Sequence, residues 1–239
     1  MKTATLVMCA GLAATPALAA NVGGTSFEDS PLAPQTTTNA GVAPGTGEMT
    51  GPGLSFAGSV NEVGFRTFWT DTRGTGAGGP VDGAESGDFI GVTDFTPAFG
   101  TPFTDGVNGY EFNDTDGQIE LRLDTINTAG SGDLTVSFDV WFNATTWEAN
   151  DSFSAVANGA AIYSVSGAAI DPIEGVWTSL SFGIGSASTL DLSFFGDNNS
   201  GAENIFIDNI RVSGLVPTPG PATLFAAAGL VGLRRRRSR

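Results

Sequence analysis

Apolar and polar residues alternate through most of this chain of 239 residues, and the clearest run of this kind is Leu134–Phe142. Apolar side chains occupy every second position of that run, from 134 to 142. A period of two is typical of a β-strand with one buried face, whereas an amphipathic helix repeats at about 3.6 residues. Shorter runs with the same period begin at Ile119, Val176, Leu190 and Ile205. Strands therefore dominate the predicted secondary structure.

Strands of this kind must bury their apolar faces against a second sheet. We therefore predict an all-β domain over residues 20–215, a β-sandwich of the jelly-roll type. The range 31–53 is rich in Pro, Gly and Thr, and 71–87 is rich in Gly. Both ranges are predicted to be long connections between strands.

The predicted domain is strongly anionic. It holds all 25 acidic residues of the chain against four arginines, a formal charge of −21, with no lysine and no histidine. Such a surface repels nucleic acids and anionic lipids. The single cysteine, Cys9, precedes the domain, which excludes disulfides and thiolate metal sites from it.

The same composition argues against an enzyme. Without His, Cys or Lys the domain lacks the groups that build catalytic triads and Schiff bases. A glycosidase with two carboxylates remains the one catalytic alternative. Glu120 and Asp124 come nearest to that pattern, but Arg122 stands between them where a second acid is expected. We therefore expect no catalytic residues.

The first 19 residues are predicted to be a secretory signal peptide. Lys2 supplies the positive start, Leu6 to Leu12 form an apolar stretch, and Ala17-Leu18-Ala19 offers a cleavage pattern of small residues. The mature protein would therefore begin near residue 20, outside the cytoplasm.

The C-terminal range 216–239 combines a Pro/Gly spacer, an apolar run and a cluster of arginines. The apolar run, 222–233, has 12 residues. As a helix it would be about 18 Å long, against a hydrocarbon core of roughly 30 Å. Arg234, Arg235, Arg236 and Arg237 would hold its end on the cytoplasmic side. We predict a short hydrophobic sorting helix with transient inner-membrane contact; a weak anchor or a basic tail is the alternative.

This arrangement resembles the PEP-CTERM sorting domain of Gram-negative bacteria. Pro217, Thr218 and Pro219 stand where that family carries Pro-Glu-Pro, so Thr218 departs from the motif. The resemblance implies processing by an exosortase-type enzyme and export to the cell surface, the outer envelope or the extracellular polysaccharide matrix. It covers about a tenth of the chain and implies nothing about the activity of the domain.

The last predicted strand, 205–212, suggests a metal site. Asp208 shares its side-chain parity with apolar neighbours, and a buried carboxylate is costly unless it is paired, hydrogen-bonded or metal-bound. Together with Phe27, Glu28 and Asp29, this strand resembles the jelly-roll carbohydrate-binding modules, whose first and last strands bind a structural calcium. The resemblance implies Ca²⁺ ligands at Glu28, Asp29 and Asp208. The alternative is that Asp208 accepts backbone N–H groups at a strand bend.

A sugar site is predicted on the polar face of the 134–142 strand. Asp139, Trp141 and Asn143 share that face, and Trp147 follows in the adjoining loop. An exposed indole beside carboxylates and amides can stack on a pyranose ring and hydrogen-bond its hydroxyls. The alternative is that a loop such as 31–53 covers Trp141.

Two functional hypotheses follow. The first is an exported, non-enzymatic surface protein that binds extracellular polysaccharide. The second is a structural component of the extracellular matrix without a discrete ligand. An open aromatic face around Trp141 would favour the first hypothesis, and a covered face would favour the second.

Overall fold

The computed structural model describes residues 18–33, 46–73, 89–95 and 101–216. These ranges form β-strands and two short 3-10 turns, Gly167–Ala169 and Asp171–Ile173. In chain order the strands are β1 (Leu18–Thr25), β2 (Thr46–Met49), β3 (Ser55–Phe56), β4 (Phe65–Thr70), β5 (Phe89–Thr93), β6 (Gly109–Asn113), β7 (Gly117–Leu123), β8 (Ile126–Asn127), β9 (Leu134–Phe142), β10 (Ser152–Ala157), β11 (Ala160–Ser166), β12 (Thr178–Gly185), β13 (Thr189–Leu190), β14 (Leu192–Asn198) and β15 (Asn204–Val216).

Two of the predicted segments fall largely outside these ranges. Residues 1–17 of the predicted signal peptide and 217–239 of the predicted sorting signal are not among the described residues. Within the described ranges, no helix has the length and apolar character that crossing a membrane requires.

Thirteen of the strands form two stacked antiparallel sheets, as the sequence predicts, and β8 pairs with β13 in a separate two-stranded sheet. Sheet one runs β12-β9-β15-β6-β5, with β1 also paired to β15. Sheet two runs β11-β10-β14-β7-β4-β2, with β3 also paired to β4. The quartets β12-β9-β15-β6 and β11-β10-β14-β7 have the strand order of the two halves of a jelly roll. The prediction of a jelly-roll β-sandwich is therefore confirmed.

The core lies between the two sheets and follows the alternation seen in the sequence. Along β9, the side chains of Val136, Phe138 and Val140 point inward and are buried. Phe138 packs edge-on against Phe153 and Phe194, with ring centroids 6.2 and 5.0 Å apart. Aromatic edge-to-face packing thus joins sheet one to sheet two at the centre of the sandwich.

One side of the sandwich is closed by irregular chain. At the outer edge of β5, Val92 donates its N–H to Gly53 (3.0 Å), and its carbonyl accepts the N–H of Ala33 (2.8 Å). Gly53 has a positive φ of 71°, and a Cβ there would lie 2.3 Å from the Ala33 nitrogen. Only glycine allows this close approach, which satisfies the free edge of β5.

Phe153 tests the packing of this core. We expect Phe153→Ala to lower the free energy of unfolding by about 3–5 kcal/mol, because the change leaves a cavity among aromatic rings. Urea unfolding measures this. Val60→Ala is the control, since Val60 is 98% exposed, and its effect should stay within about 0.5 kcal/mol. Equal effects of the two substitutions would contradict the described core.

Candidate functional site

Three of the four predicted sugar-binding residues share the outer face of sheet one, whereas Trp147 belongs to the core. Asp139 and Trp141 alternate with core residues along β9, and Asn143 follows directly after the strand. On the neighbouring β15, Phe206 is opposite Trp141 and Asp208 is opposite Asp139. The parity of the sequence therefore predicted the shared face.

The structure covers this face. Residues 101–108 lie across it, and Trp141 is 4% exposed in a cluster with Phe103 and Phe206, its ring 5.9 Å from that of Trp177. The Phe103 ring is 6.2 Å from that of Phe206 and 6.0 Å from that of Trp177, whose indole N–H donates to the Pro102 carbonyl (3.1 Å). The expected exposed stacking platform at Trp141 is therefore absent. A loop does cover the indole, but this loop is 101–108, whereas the sequence suggested 31–53.

Trp147 and Asn143 are also engaged in packing. The Trp147 indole is buried, meets Phe142 edge-on at 5.7 Å and donates its N–H to the Asn143 carbonyl (3.1 Å). The Asn143 side chain donates to the carboxamide oxygen of Asn204 (2.5 Å). Because these groups are already paired within the fold, they are poorly placed to bind a sugar.

Asp208 holds the covering segment in place. Its Oδ2 accepts the N–H of Asp105 (2.8 Å) and the hydroxyl of Thr104 (3.0 Å), and its Oδ1 accepts the N–H of Asn209 (2.6 Å). The Thr104 hydroxyl also reaches Asp139 (2.6 Å). Burial raises the pKa of Asp208 to about 6, although these hydrogen bonds act in the opposite direction. This is the alternative interpretation from the sequence, a carboxylate that accepts backbone N–H groups at a strand bend.

The other two predicted calcium ligands point elsewhere. Glu28 Oε1 accepts the N–H groups of Val107 (2.8 Å) and Asn108 (2.7 Å), and Asp29 Oδ2 accepts the Ser59 hydroxyl (2.6 Å). Glu28, Asp29 and Asp208 do not converge within 4.8 Å in the described part of the chain. A structural Ca²⁺ at these residues stays a prediction. It is not favoured by the geometry, because N–H and O–H groups of the protein already donate hydrogen bonds to the three carboxylates.

A different group of carboxylates does converge. Ligand oxygens of Glu148, Asp151 and Glu203 all lie within 4.8 Å of one another. Arg73 supplies a positive charge, with its guanidinium 3.1 Å from Asp151 and 2.7 Å from Asp197. Burial, followed by the hydrogen bond with Glu148, raises the pKa of Glu203 to about 8. The cluster is thus stabilised by an arginine and a retained proton, and sequence spacing gave no sign of it.

A second candidate face, which the sequence analysis missed, is the outer face of sheet two. Phe68 on β4 and Phe195 on β14 are half-buried, and both lie opposite Glu120 of the intervening β7. Glu120 accepts Arg122 Nε (2.8 Å) and one terminal nitrogen (2.6 Å), and it also accepts the Ser193 hydroxyl (2.7 Å). The Arg122 guanidinium lies 4.2 Å from the Phe68 ring centroid.

The signal for this face was present in the sequence. Phe68 shares its parity with Arg66 and Thr70, and Phe195 shares its parity with Ser193 rather than with the inward Phe194. Each phenyl ring therefore belongs to a polar strand face. An aromatic residue on a polar strand face is the same pattern that predicted a sugar site at Trp141.

In comparisons with known proteins, the chain resembles several solved structures in fold. No protein-family model matches the chain, and no curated protein matches it. A family 61 carbohydrate-binding module in complex with β-1,4-galactotriose is 12% identical and has a TM-score of 0.38, with 52% of this chain and 80% of the module covered. The C-terminal family 6 module of a laminarinase from Zobellia galactanivorans is 16% identical, with a TM-score of 0.33 and coverages of 51% and 90%. The K3 cleaved adhesin domain of Lys-gingipain from Porphyromonas gingivalis is 14% identical, with a TM-score of 0.38 and coverages of 63% and 91%.

Glu111 generates a prediction about pH. This carboxyl is buried on the outer face of sheet one, its Oε1 accepts the Asn204 amide (2.6 Å), and burial raises its pKa from 4.5 to about 8. The folded state therefore binds a proton that the unfolded state releases above pH 4.5, so stability falls as pH rises from 4.5 to 8. We expect Glu111→Gln to flatten this decline, measured as the unfolding free energy across that range. An unchanged pH slope in the variant would contradict the described burial of Glu111.

Proposed function

We propose that this chain is an exported, non-enzymatic protein of the cell surface or extracellular polysaccharide that binds carbohydrate through the outer face of sheet two. The observation that carries the proposal is the row formed by Phe68, Glu120 and Phe195 on three adjacent strands. Two half-buried phenyl rings flank a carboxylate whose arginine partner, Arg122, is itself partly exposed.

This row matches what sugar recognition requires. Aromatic rings contact the C–H faces of a pyranose, while charged and amide groups fix its hydroxyls by hydrogen bonds. Phe68 and Phe195 are two strand spacings apart, roughly 10 Å, which is about the length of two linked sugar rings. Glu120 lies between them as an acceptor, and Gln118 precedes it on the same strand face. Arg122, two residues after Glu120, supplies donors beside the Phe68 ring.

The charge of the domain favours neutral sugars as ligands. With a formal charge of −21, the domain repels polyanionic chains at long range. On the proposed face, Glu120 neutralises the charge of Arg122 by forming an ion pair with it. Neutral polysaccharides are therefore the class of ligand that we propose for this face.

On the proposed face, the state of Glu120 argues against acid catalysis. Burial raises the pKa of this carboxyl, but the hydrogen bonds from Arg122 and Ser193 outweigh burial and lower it overall. A glycosidase needs a carboxyl that stays protonated to act as general acid. Hydrogen bonds from Arg122 hold Glu120 ionised, which does not suit a general acid.

Export and sorting are proposed from the two chain ends. The predicted signal peptide directs secretion, and the PEP-CTERM-like end, with its arginine cluster, would make transient inner-membrane contact until an exosortase-type enzyme processes it. The anionic, cysteine-free domain is compatible with a location outside the cytoplasm.

A second candidate function is a structural role in the extracellular matrix without a discrete ligand. It is favoured by the covering of Trp141 by residues 101–108, because that cover removes the aromatic face on which sugar binding was first expected.

Affinity electrophoresis on a panel of neutral and acidic polysaccharides tests the proposal. We expect retardation by a neutral polysaccharide, and we expect Phe68→Ala and Phe195→Ala each to weaken the binding about five- to tenfold through the loss of one stacking contact. Phe95→Ala is the matched control, because Phe95 is 56% exposed and lies outside the proposed face.

Equal losses in all three variants would contradict the assignment of the face. If the unmodified protein is not retarded by any polysaccharide, including the exopolysaccharide of its own host, the matrix role is favoured instead.

A further inference from the structure

The side of the sandwich opposite β5 ends in two strands, β12 in sheet one and β11 in sheet two. Each pairs on one side only among the described residues, β12 with β9 and β11 with β10. Their outer edges therefore carry backbone N–H and C=O groups that no described strand satisfies. The β5 edge differs, because Gly53 and Ala33 cap it.

These two strands carry one feature that usually protects a free edge, a β-bulge near one end, but they lack the others. The bulges lie at Ile162 of β11 and Ile184 of β12, so β12 is regular from Thr178 to Gly183. Natural sheets discourage edge pairing with lysine, proline, inward charges, bulges or a covering segment. Neither Ala160–Ser166 nor Thr178–Gly185 contains a charged residue or a proline. Across residues 152–190 the only charged side chains are Asp171 and Glu174, although the domain carries 25 acids. The charge of the domain is thus concentrated away from this side.

An apolar seam lies between the two edges. Side chains from β11, β12 and their connection pack against the core yet remain partly exposed; they are Ile162, Tyr163, Val165, Ile173, Leu180, Phe182 and Ile184. The Tyr163 and Phe182 rings bridge the two sheets at 6.0 Å. Covering this seam would remove further apolar area from water, which favours association.

We propose that this side is a self-association surface, on which a second copy of the chain pairs antiparallel through β12. Two domains of charge −21 repel one another, and salt screens this repulsion best when they meet through a side that carries few charges, because the acidic faces then stay farther apart than the screening length of about 8–10 Å. A cationic partner would instead be attracted to the acidic faces.

The strand is also complementary to itself. Along β12, Leu180, Phe182 and Ile184 are half-buried, while Ser179, Ser181 and Gly183 are exposed. An antiparallel pairing centred on Ser181 places Leu180 opposite Phe182 on the core side and Ser179 opposite Gly183 on the outer side. Identical surfaces therefore meet about a twofold axis, and every side chain stays on its own face.

Disulfide trapping tests this geometry in the full chain. In a Cys9→Ser background, Ser181→Cys places one thiol on the proposed axis, and Val60→Cys places one on a loop residue that is 98% exposed. Under mild oxidation at micromolar protein, we expect a covalent dimer on non-reducing gels at least about fivefold more abundant for Ser181→Cys. Equal trapping of the two variants would overturn the proposal, as would failure of Ser181→Cys to cross-link.

A charge on the edge provides the second test. A Cβ at Gly183 would meet no atom within 4 Å, so Gly183→Glu is compatible with the monomer fold. We expect it to raise the dissociation constant of the dimer at least about tenfold, measured by analytical ultracentrifugation, because each copy would place a charge of the same sign as the domain opposite Ser179 of the other copy. An unchanged dissociation constant would contradict pairing through β12 and would indicate association through another segment.

Discussion

The structure depends on how its last strand, β15, is held. This strand pairs with β9 along one side, while its first half pairs with β6 and its second half with β1 on the other. Between the halves the register with β9 shifts after Asp208, and Asn209 adopts a positive φ of 52°. A bulge of this kind bends a strand and redirects its side chains. Here it places a buried carboxylate where it can accept three donors, two of them from the segment 101–108.

That arrangement determines which surface remains free. Asp208 accepts the backbone N–H of Asp105, and Glu28 accepts those of Val107 and Asn108. Two carboxylates therefore fix the second half of the covering segment. Phe103 and Trp177 then pack in one cluster with Trp141 and Phe206, which buries the indole that a sugar ring would need. On the outer face of sheet two, Phe68 and Phe195 stay half-buried, with Arg122 packed against Phe68, and for that reason the proposed binding function lies there. The uncharged β11–β12 side would remain free for a second copy at the same time, because it is a different side of the sandwich.

Much of the fold could be predicted from the sequence, because alternation at period two is a local property of each strand. The parity of β9 correctly assigned Phe138 to the core and Trp141 to the outer face. Asp208 was correctly singled out as a buried carboxylate, but the bulge after it breaks the predicted parity, because Ile210 and Val212 lie in the core while Asp208 lies on the outer face. The candidate site was harder, because its exposure depends on a segment without periodicity. Nothing in residues 101–108 indicates that Phe103 packs on Trp141 or that Thr104 reaches Asp139. The convergence of Glu148, Asp151 and Glu203 likewise joins a pair three residues apart to a residue distant in sequence, so no spacing rule could reveal it.

Backbone hydrogen bonds to Asp208 and Glu28 close the outer face of sheet one, and the rest of the account depends on this closure. Amide hydrogen exchange, resolved for single residues by NMR, measures this directly. The N–H groups of Asp105, Val107 and Asn108 should exchange as slowly as amides in the middle of β15, although they belong to a segment with no regular secondary structure. Exchange of these three amides at the rate of an unstructured peptide would contradict the account, because Trp141 would then be accessible to ligands.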